Sequence, residues 1–104
     1  MQRVLITAGA TGIGYALAKK FSEAGYHIWI TDISEEALKK CSKDWERSTV
    51  DVCDENAMSS LFKKINEKWA GLDVLCANAG TAGSTALIED QDAEAFRKCL
   101  DVNL

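Results

Sequence analysis

Three glycines within six residues form the first candidate site. Gly9, Gly12 and Gly14 lie in the stretch ITAGATGIGYALAK, between an apolar run and an amphipathic one. Where a strand turns into a helix, glycines permit positive φ and let backbone N–H groups approach a pyrophosphate at the positive end of the helix. Their spacing is G-x-x-G-x-G rather than the more usual G-x-G-x-x-G. The stretch predicts a phosphate cradle, with a tight turn that binds nothing as the alternative.

An acidic residue at a suitable distance supports the same site. Asp32 follows the second apolar run, eighteen positions after Gly14, close to the roughly 20 expected for the acid that binds an adenosine ribose. Its carboxylate can accept from both ribose hydroxyls and would repel a 2′-phosphate, and positions 15, 33 and 34 carry no Arg or Lys. We therefore predict NAD rather than NADP. The alternative is that Asp32 only helps to cap a helix beginning at Ser34.

Apolar and amphipathic runs alternate along the chain, and they predict the strands and helices that carry these residues. The apolar runs predict strands over 3–7, 27–31, part of 47–52 and 72–77, and the amphipathic runs predict helices over 13–24, about 34–43, 54–69 and from Asp92 onward. Strands too apolar to face water on either side indicate a parallel sheet with helices on both faces. Right-handed crossovers then favour an α/β fold, the N-terminal half of a Rossmann-like three-layer α/β/α arrangement with strand order 3-2-1-4.

The spacing of apolar residues also predicts which helix faces are buried. In the first helix the expected face consists of Ile13, Ala16, Leu17, Phe21 and Ala24. In the third helix the expected stripe is Met58, Leu61, Phe62 and Ile65.

Composition excludes several classes of function. The formal net charge of −4 and the sequence pI near 4.9 argue against nucleic acid or an anionic membrane as a partner, and no segment has the roughly 20 apolar residues of a membrane span. The four cysteines form no C-x-x-C and His27 is the only histidine, so no metal site is predicted. We expect reduced, mostly buried cysteines in a cytoplasmic protein of one small domain, residues 1–104.

Four short motifs carry a resemblance to a known family. The segments TAGATGIG (7–14), DV (51–52), ANAG (77–80) and VNL (102–104) resemble those of the short-chain dehydrogenase/reductase family in order and spacing, over the whole chain. Two positions depart from the family pattern: Ala8 stands where the family has Gly, and Ala77 where it usually has Asn. The resemblance is to the N-terminal part of the family.

The resemblance implies a role for each matching residue. The pyrophosphate would be held by Thr11, Gly12, Ile13 and Gly14, the adenosine ribose by Asp32 and Ile33, and the adenine by Asp51 and the Val52 backbone. Asn78, Ala79 and Gly80 would pass under the ribose nearer the nicotinamide. Asn103 matches the residue that helps to hold a proton-relay water near the catalytic lysine. Without the family, Asp51 is equally a solvated acid at a strand end, and Asn78 an amide bonded to a neighbouring loop.

Tyr15 and Lys19 repeat the spacing of the family's catalytic pair, Y-x-x-x-K. In such a pair the cation lowers the pKa of the phenol, so that it can exchange a proton with a carbonyl oxygen. In the family, however, the pair lies on a later helix, after a catalytic Ser. We therefore interpret Tyr15 and Lys19 as an exposed helix pair that frames the cofactor site.

The resemblance implies an NAD-dependent oxidoreductase that interconverts a small-molecule alcohol and a carbonyl by hydride transfer. This chain would supply the cofactor-binding half, with the Ser and the Y-x-x-x-K pair expected beyond Leu104, so we expect the chain alone to be inactive. A homodimer or homotetramer is also implied. Two alternatives stay open: a non-catalytic dinucleotide-binding or sensing module, and a structural α/β domain with an empty cradle.

Overall fold

A parallel sheet aligns the predicted strand ends at one edge. The computed structural model describes residues 2–79. Its strands are β1 (Arg3–Ile6), β2 (His27–Asp32), β3 (Glu46–Thr49) and β4 (Val74–Cys76), in the parallel order β3-β2-β1-β4. The predicted α/β fold and strand order 3-2-1-4 are confirmed. Gly80, Asn103 and the helix predicted from Asp92 lie outside the described residues.

Within residues 2–79, three helices cover the two faces of this sheet: α1 (Gly12–Glu23), α2 (Glu35–Lys39) and α3 (Glu55–Trp69). α1 and α2 contribute Ala18 and Leu38 to a core on one face of the sheet, together with Val4, Ile6, Ile28 and Ile30. α3 contributes Leu61 and Ile65 to a second core on the opposite face, together with Leu5, Trp29 and Val50. The alternation of core residues along β1 and β2 produces the predicted three layers.

The buried face of α1 differs in part from the predicted one. Leu17 and Phe21 pack against the core as expected. Ile13, however, is 75% exposed, and Ala16 and Ala24 are also exposed. The prediction was wrong for these three residues.

Gly14 explains why the buried face of α1 differs from the predicted one. Gly14 and Ala18 are the buried residues of the helix. At Gly14 the helix backbone lies so close to the loop after β1 that a Cβ would overlap the carbonyl oxygen of Ala8. The backbone of the first helical turn therefore rests directly on the loop after β1. Apolar periodicity cannot reveal this contact, since glycine has no side chain to register in the pattern.

The third helix follows its predicted stripe more closely. Leu61 and Ile65 are buried, and Met58 is half-buried against the same core. Phe62, however, is 42% exposed, so the prediction was wrong for this residue.

The second helix is shorter than predicted and ends at Lys39. The carbonyl of Leu38 accepts a hydrogen bond from Arg47 Nη1 at 3.2 Å, so a side chain from the next strand satisfies the end of the helix. Trp45 then turns into the core, where it is 8% exposed, and β3 begins at Glu46. Burial of the large indole outweighs the weak helical preference of the intervening residues.

A charged pair fixes the opposite edge of the sheet, where β1 and β4 begin. Asp73 Oδ2 accepts from Arg3 Nε at 2.9 Å and from the Arg3 backbone N–H at 2.8 Å. Asp73 N–H in turn donates to the Arg3 carbonyl at 3.0 Å. The hydrogen bonds from Arg3 and its charge hold the pKa of the Asp73 carboxyl below its ordinary value.

Candidate cofactor site

The loops that follow the four strands meet at the carboxyl edge of the sheet. In open parallel sheets this edge is where ligands bind. The predicted residues that the structure describes all lie at the last residue of a strand, in these loops or at the start of α1. They are Gly9, Thr11, Gly12, Ile13, Gly14, Asp32, Ile33, Asp51, Val52, Asn78 and Ala79.

The three positions of the first loop that carry glycine require it for different structural reasons. A Cβ on Gly9 would lie 2.7 Å from Ile30 Cγ2, and a Cβ on Gly14 would lie 2.6 Å from Asn78 Nδ2. Both glycines are therefore required for close packing. Gly12 instead has φ of +60° and open space where a Cβ would stand. It is the member of the trio at which positive φ and an approaching phosphate are both accommodated.

The N-terminus of α1 is left open to an anion. Thr11 occupies the N-cap position without a side-chain capping bond, and the first turn contains no acidic residue. The two other helices are capped by Ser34 and Asp54, with glutamates in their first turns. Since unpaired N–H groups and the helix dipole favour negative charge, the start of α1 fits a pyrophosphate.

The Asp32 carboxylate lies at the end of β2, between this glycine loop and α2. Its Oδ2 accepts from Ala10 N–H at 3.3 Å and its Oδ1 from Ser34 N–H at 3.1 Å. The helix cap itself is made by Ser34, whose Oγ accepts from Ala37 N–H at 3.2 Å. Capping is therefore not the main role of Asp32, and each of its oxygens keeps a lone pair for another donor. The neighbouring Ile33 is 71% exposed.

Asp51 and Val52 form the turn between β3 and α3. Asp51 is exposed, and its Oδ1 accepts from Cys53 N–H at 2.9 Å. Its carbonyl accepts from Asp54 N–H, also at 2.9 Å. The Asp51 side chain thus shapes the turn as well as facing solvent, while Val52 is half-buried.

Thr7 is a site residue whose role sequence reasoning missed. Its Oγ1 accepts from the backbone N–H groups of Asn78 and Ala79, each at 3.0 Å. Asn78 Nδ2 also donates to the Ala8 carbonyl at 3.3 Å. The loops after β1 and β4 are therefore fastened together beside Gly14. A hydroxyl at the end of an apolar strand was the available signal, but its partners lie about seventy positions away.

Ala8 adopts a backbone conformation that favours glycine, with φ of 52°. This is one of the two positions at which the sequence departs from the family pattern. The strain is tolerated because Gly9 N–H donates to the Thr31 carbonyl at 2.9 Å and fixes the loop on the next strand.

Comparison with known proteins connects this geometry to a family. A family model described as short chain dehydrogenase matches residues 2–104. The chain belongs to the short-chain dehydrogenase family. The family resemblance carried by the four sequence motifs is confirmed.

Three similar proteins illustrate the range within the family. A short chain dehydrogenase/reductase of Gibberella zeae is 37% identical over 96% of this chain and 39% of its own length. The structure of 4-hydroxyisoleucine dehydrogenase complexed with NADH is 26% identical, with a TM-score of 0.86 over 100% of this chain and 44% of its own. A variant of ElxO with NADPH bound is 31% identical, with a TM-score of 0.88 over 99% of this chain and 44% of its own. The chain spans less than half the length of each of these proteins.

Tyr15 and Lys19 differ in how far their side chains are exposed to solvent. Lys19 is exposed, with its Nζ 6.0 Å from the centroid of the Tyr15 ring. Tyr15 is half-buried, and its ring centroid lies 5.8 Å from that of Trp45. The interpretation of both residues as an exposed pair was therefore wrong for Tyr15, whose ring packs α1 against the segment before β3.

Three of the four cysteines lie in the described part of the chain. Cys41 is buried and Cys76 half-buried, as expected, whereas Cys53 is exposed, and Cys99 lies outside the described residues. Among residues 2–79, no cluster of His, Cys, Asp and Glu is suited to a metal ion. In the same part of the chain, no helix has the length and apolar character needed to cross a membrane.

Proposed function

We propose that this short-chain dehydrogenase is an NAD-dependent oxidoreductase that interconverts an alcohol and a carbonyl by hydride transfer. Residues 1–104 would form its cofactor-binding segment. One observation carries the proposal: the carboxylate of Asp32 lies beside the uncapped N-terminus of α1. A dinucleotide has a pyrophosphate and an adenosine ribose in adjacent positions, so it matches both features at once.

The pyrophosphate would bind at the start of α1, through Thr11, Gly12, Ile13 and Gly14. The exposure of Thr11, Gly12 and Ile13 supports this role, because their N–H groups can then reach an anion. Gly9 would contribute by letting the loop lie close to Ile30.

The adenosine would bind at the ends of β2 and β3. Asp32 would accept from the two ribose hydroxyls through the lone pair that each of its oxygens retains. The exposed side chain of Ile33 and the turn at Asp51 and Val52 would flank the ribose and the adenine. A 2′-phosphate would meet the Asp32 charge, which is why we propose NAD rather than NADP.

The nicotinamide side would be formed by Asn78, Ala79 and Gly80. The bonds from Thr7 to the first two of these residues support a rigid loop at that point. We assign Asn103, by family resemblance, to holding a proton-relay water near the catalytic lysine. When bound, the nicotinamide supplies the hydride chemistry, and the residues of this chain orient it.

The proposal extends to the whole protein. It includes a small alcohol or carbonyl as substrate, a homodimer or homotetramer as assembly, and the cytoplasm as location, all inferred from the sequence and the family. The test is to incubate the full-length protein with NADH and a panel of ketones and aldehydes while following NADH absorbance. We expect turnover of at least one carbonyl. Binding of NADH without any turnover would favour the sensing module instead.

A further inference from the structure

The backbone of Ala10 is held on both sides by Asp32 at the end of β2 and Cys41 just after α2. Its N–H donates to Asp32 Oδ2 at 3.3 Å, and its carbonyl oxygen lies 3.7 Å from Cys41 Sγ, which donates to it. Ala10 itself is buried, in the middle of the glycine loop. The side chains of Asp32 and Cys41 therefore determine where the backbone of Ala10 lies.

The same two side chains also contact α2 and its cap. Asp32 Oδ1 accepts from Ser34 N–H at 3.1 Å, and Cys41 Sγ lies 3.5 Å from the Ala37 carbonyl. The thiol has one proton to share between the two carbonyls. Asp32 and Cys41 thus connect the glycine loop to α2 by side-chain bonds, at the side of the site assigned to the ribose.

The thiol of Cys41 is suited to act as a stable donor. It is buried, and burial raises its pKa above the ordinary value, against a smaller opposite effect of the Arg47 charge. A thiol with a raised pKa keeps its proton at neutral pH. The hydrogen bond to Ala10 is therefore available under ordinary conditions.

The position of Ala10 in the loop gives these bonds a consequence. On one side, Gly9 is fixed by its close approach to Ile30 and its bond to the Thr31 carbonyl. On the other side, Thr11 and Gly12 begin α1 with exposed backbone. A shift of the Ala10 backbone would consequently move the N–H groups of Thr11 and Gly12 that are proposed to hold phosphate.

We propose that Asp32 and Cys41 are positioning residues that set the shape of the phosphate cradle through the Ala10 peptide. This inference rests on the proposed function, since it concerns the same dinucleotide site. It assigns Asp32 a second role besides ribose binding, and it gives Cys41 a role in ligand affinity although the thiol touches no ligand.

The test compares two ligands that differ in the phosphates. ADP carries a pyrophosphate and adenosine does not, and both can be titrated into the full-length protein by ligand-observed NMR. Cys41→Ala is expected to weaken ADP binding by about threefold to tenfold and to leave adenosine binding within about twofold. Cys41→Ser keeps a donor and should recover part of the ADP affinity. Cys76→Ala is the matched control, because it removes a half-buried thiol on β4 and should change neither affinity.

The outcomes separate the two proposals. Equal weakening of ADP and adenosine by Cys41→Ala, or no weakening of ADP, would overturn the positioning role while leaving the dinucleotide site intact. A wild-type protein that binds neither ligand would overturn the proposed function together with this inference.

Discussion

Thr7 Oγ1 accepts the backbone N–H of Asn78 at 3.0 Å, and through this bond the loop after β4 is fastened to the end of β1. The same oxygen accepts from Ala79 N–H. One hydroxyl thus satisfies two backbone donors at the point where the proposed nicotinamide side of the site begins.

The first prediction concerns this hydroxyl. Thr7→Val preserves shape but leaves the N–H groups of Asn78 and Ala79 without their acceptor, so it should lower the free energy of unfolding by about 2 kcal/mol. Thr7→Ser keeps the hydroxyl and should cost less. Urea unfolding of the three proteins measures both effects. No loss for Thr7→Val, or a larger loss for Thr7→Ser than for Thr7→Val, would contradict the role assigned to the hydroxyl.

The second prediction separates two glycines of the cradle. Gly14→Ala forces a Cβ against the Ala8 carbonyl and Asn78, so we expect a loss of about 3 kcal/mol or more in the free energy of unfolding. Gly12→Ala has open space and meets only the cost of positive φ, about 1–2 kcal/mol. Thermal unfolding can rank them. A more severe loss at Gly12 would contradict this account of the loop.

The third prediction concerns Ala8, where the family has Gly and this chain has a residue with positive φ. Ala8→Gly relieves a φ of 52° and should raise the free energy of unfolding by about 0.5–1 kcal/mol. Ala24→Gly is the control, because Ala24 has a φ of −83° and gains no such relief. Denaturant unfolding that shows destabilisation by Ala8→Gly would argue against strain at this position.

The fourth prediction concerns pH. The pKa of Asp73 is lowered in the folded protein by Arg3, so its stabilising contribution is present above the unfolded pKa and is lost as pH falls through the folded one. The effect belongs to the range below about pH 4. Asp73→Asn should therefore flatten the fall of Tm with acid. Asp44→Asn, which alters an exposed acid in the turn after α2, should leave that slope nearly unchanged. Indistinguishable slopes would contradict the assigned pair.

Sequence patterns predicted most of the sheet because β1, β2 and β4 are short, mainly apolar runs, each followed by a polar or glycine-rich turn. The exception is β3, whose sequence is ERST. Position at the carboxyl edge followed from parallel topology alone, and it brought Asp32, Asp51 and Asn78 to one side of the molecule. The orientation of α1 was not predictable, since the contact that sets it belongs to Gly14. The hydrogen bonds of the Thr7 and Cys41 side chains could not be predicted from the sequence either. Each bond joins residues that are far apart in the sequence and meet only in the folded chain.

Asp32 and the open N-terminus of α1 together form the proposed NAD site. The most direct measurement is calorimetric titration of NAD and NADP into the full-length protein and its Asp32→Ala variant, with Glu23→Ala as a control at the far end of α1. We expect the wild type and the control to bind NAD at least about tenfold more tightly than NADP, and Asp32→Ala to narrow that gap. Tighter binding of NADP by the wild type, or a gap unchanged by Asp32→Ala, would contradict the account.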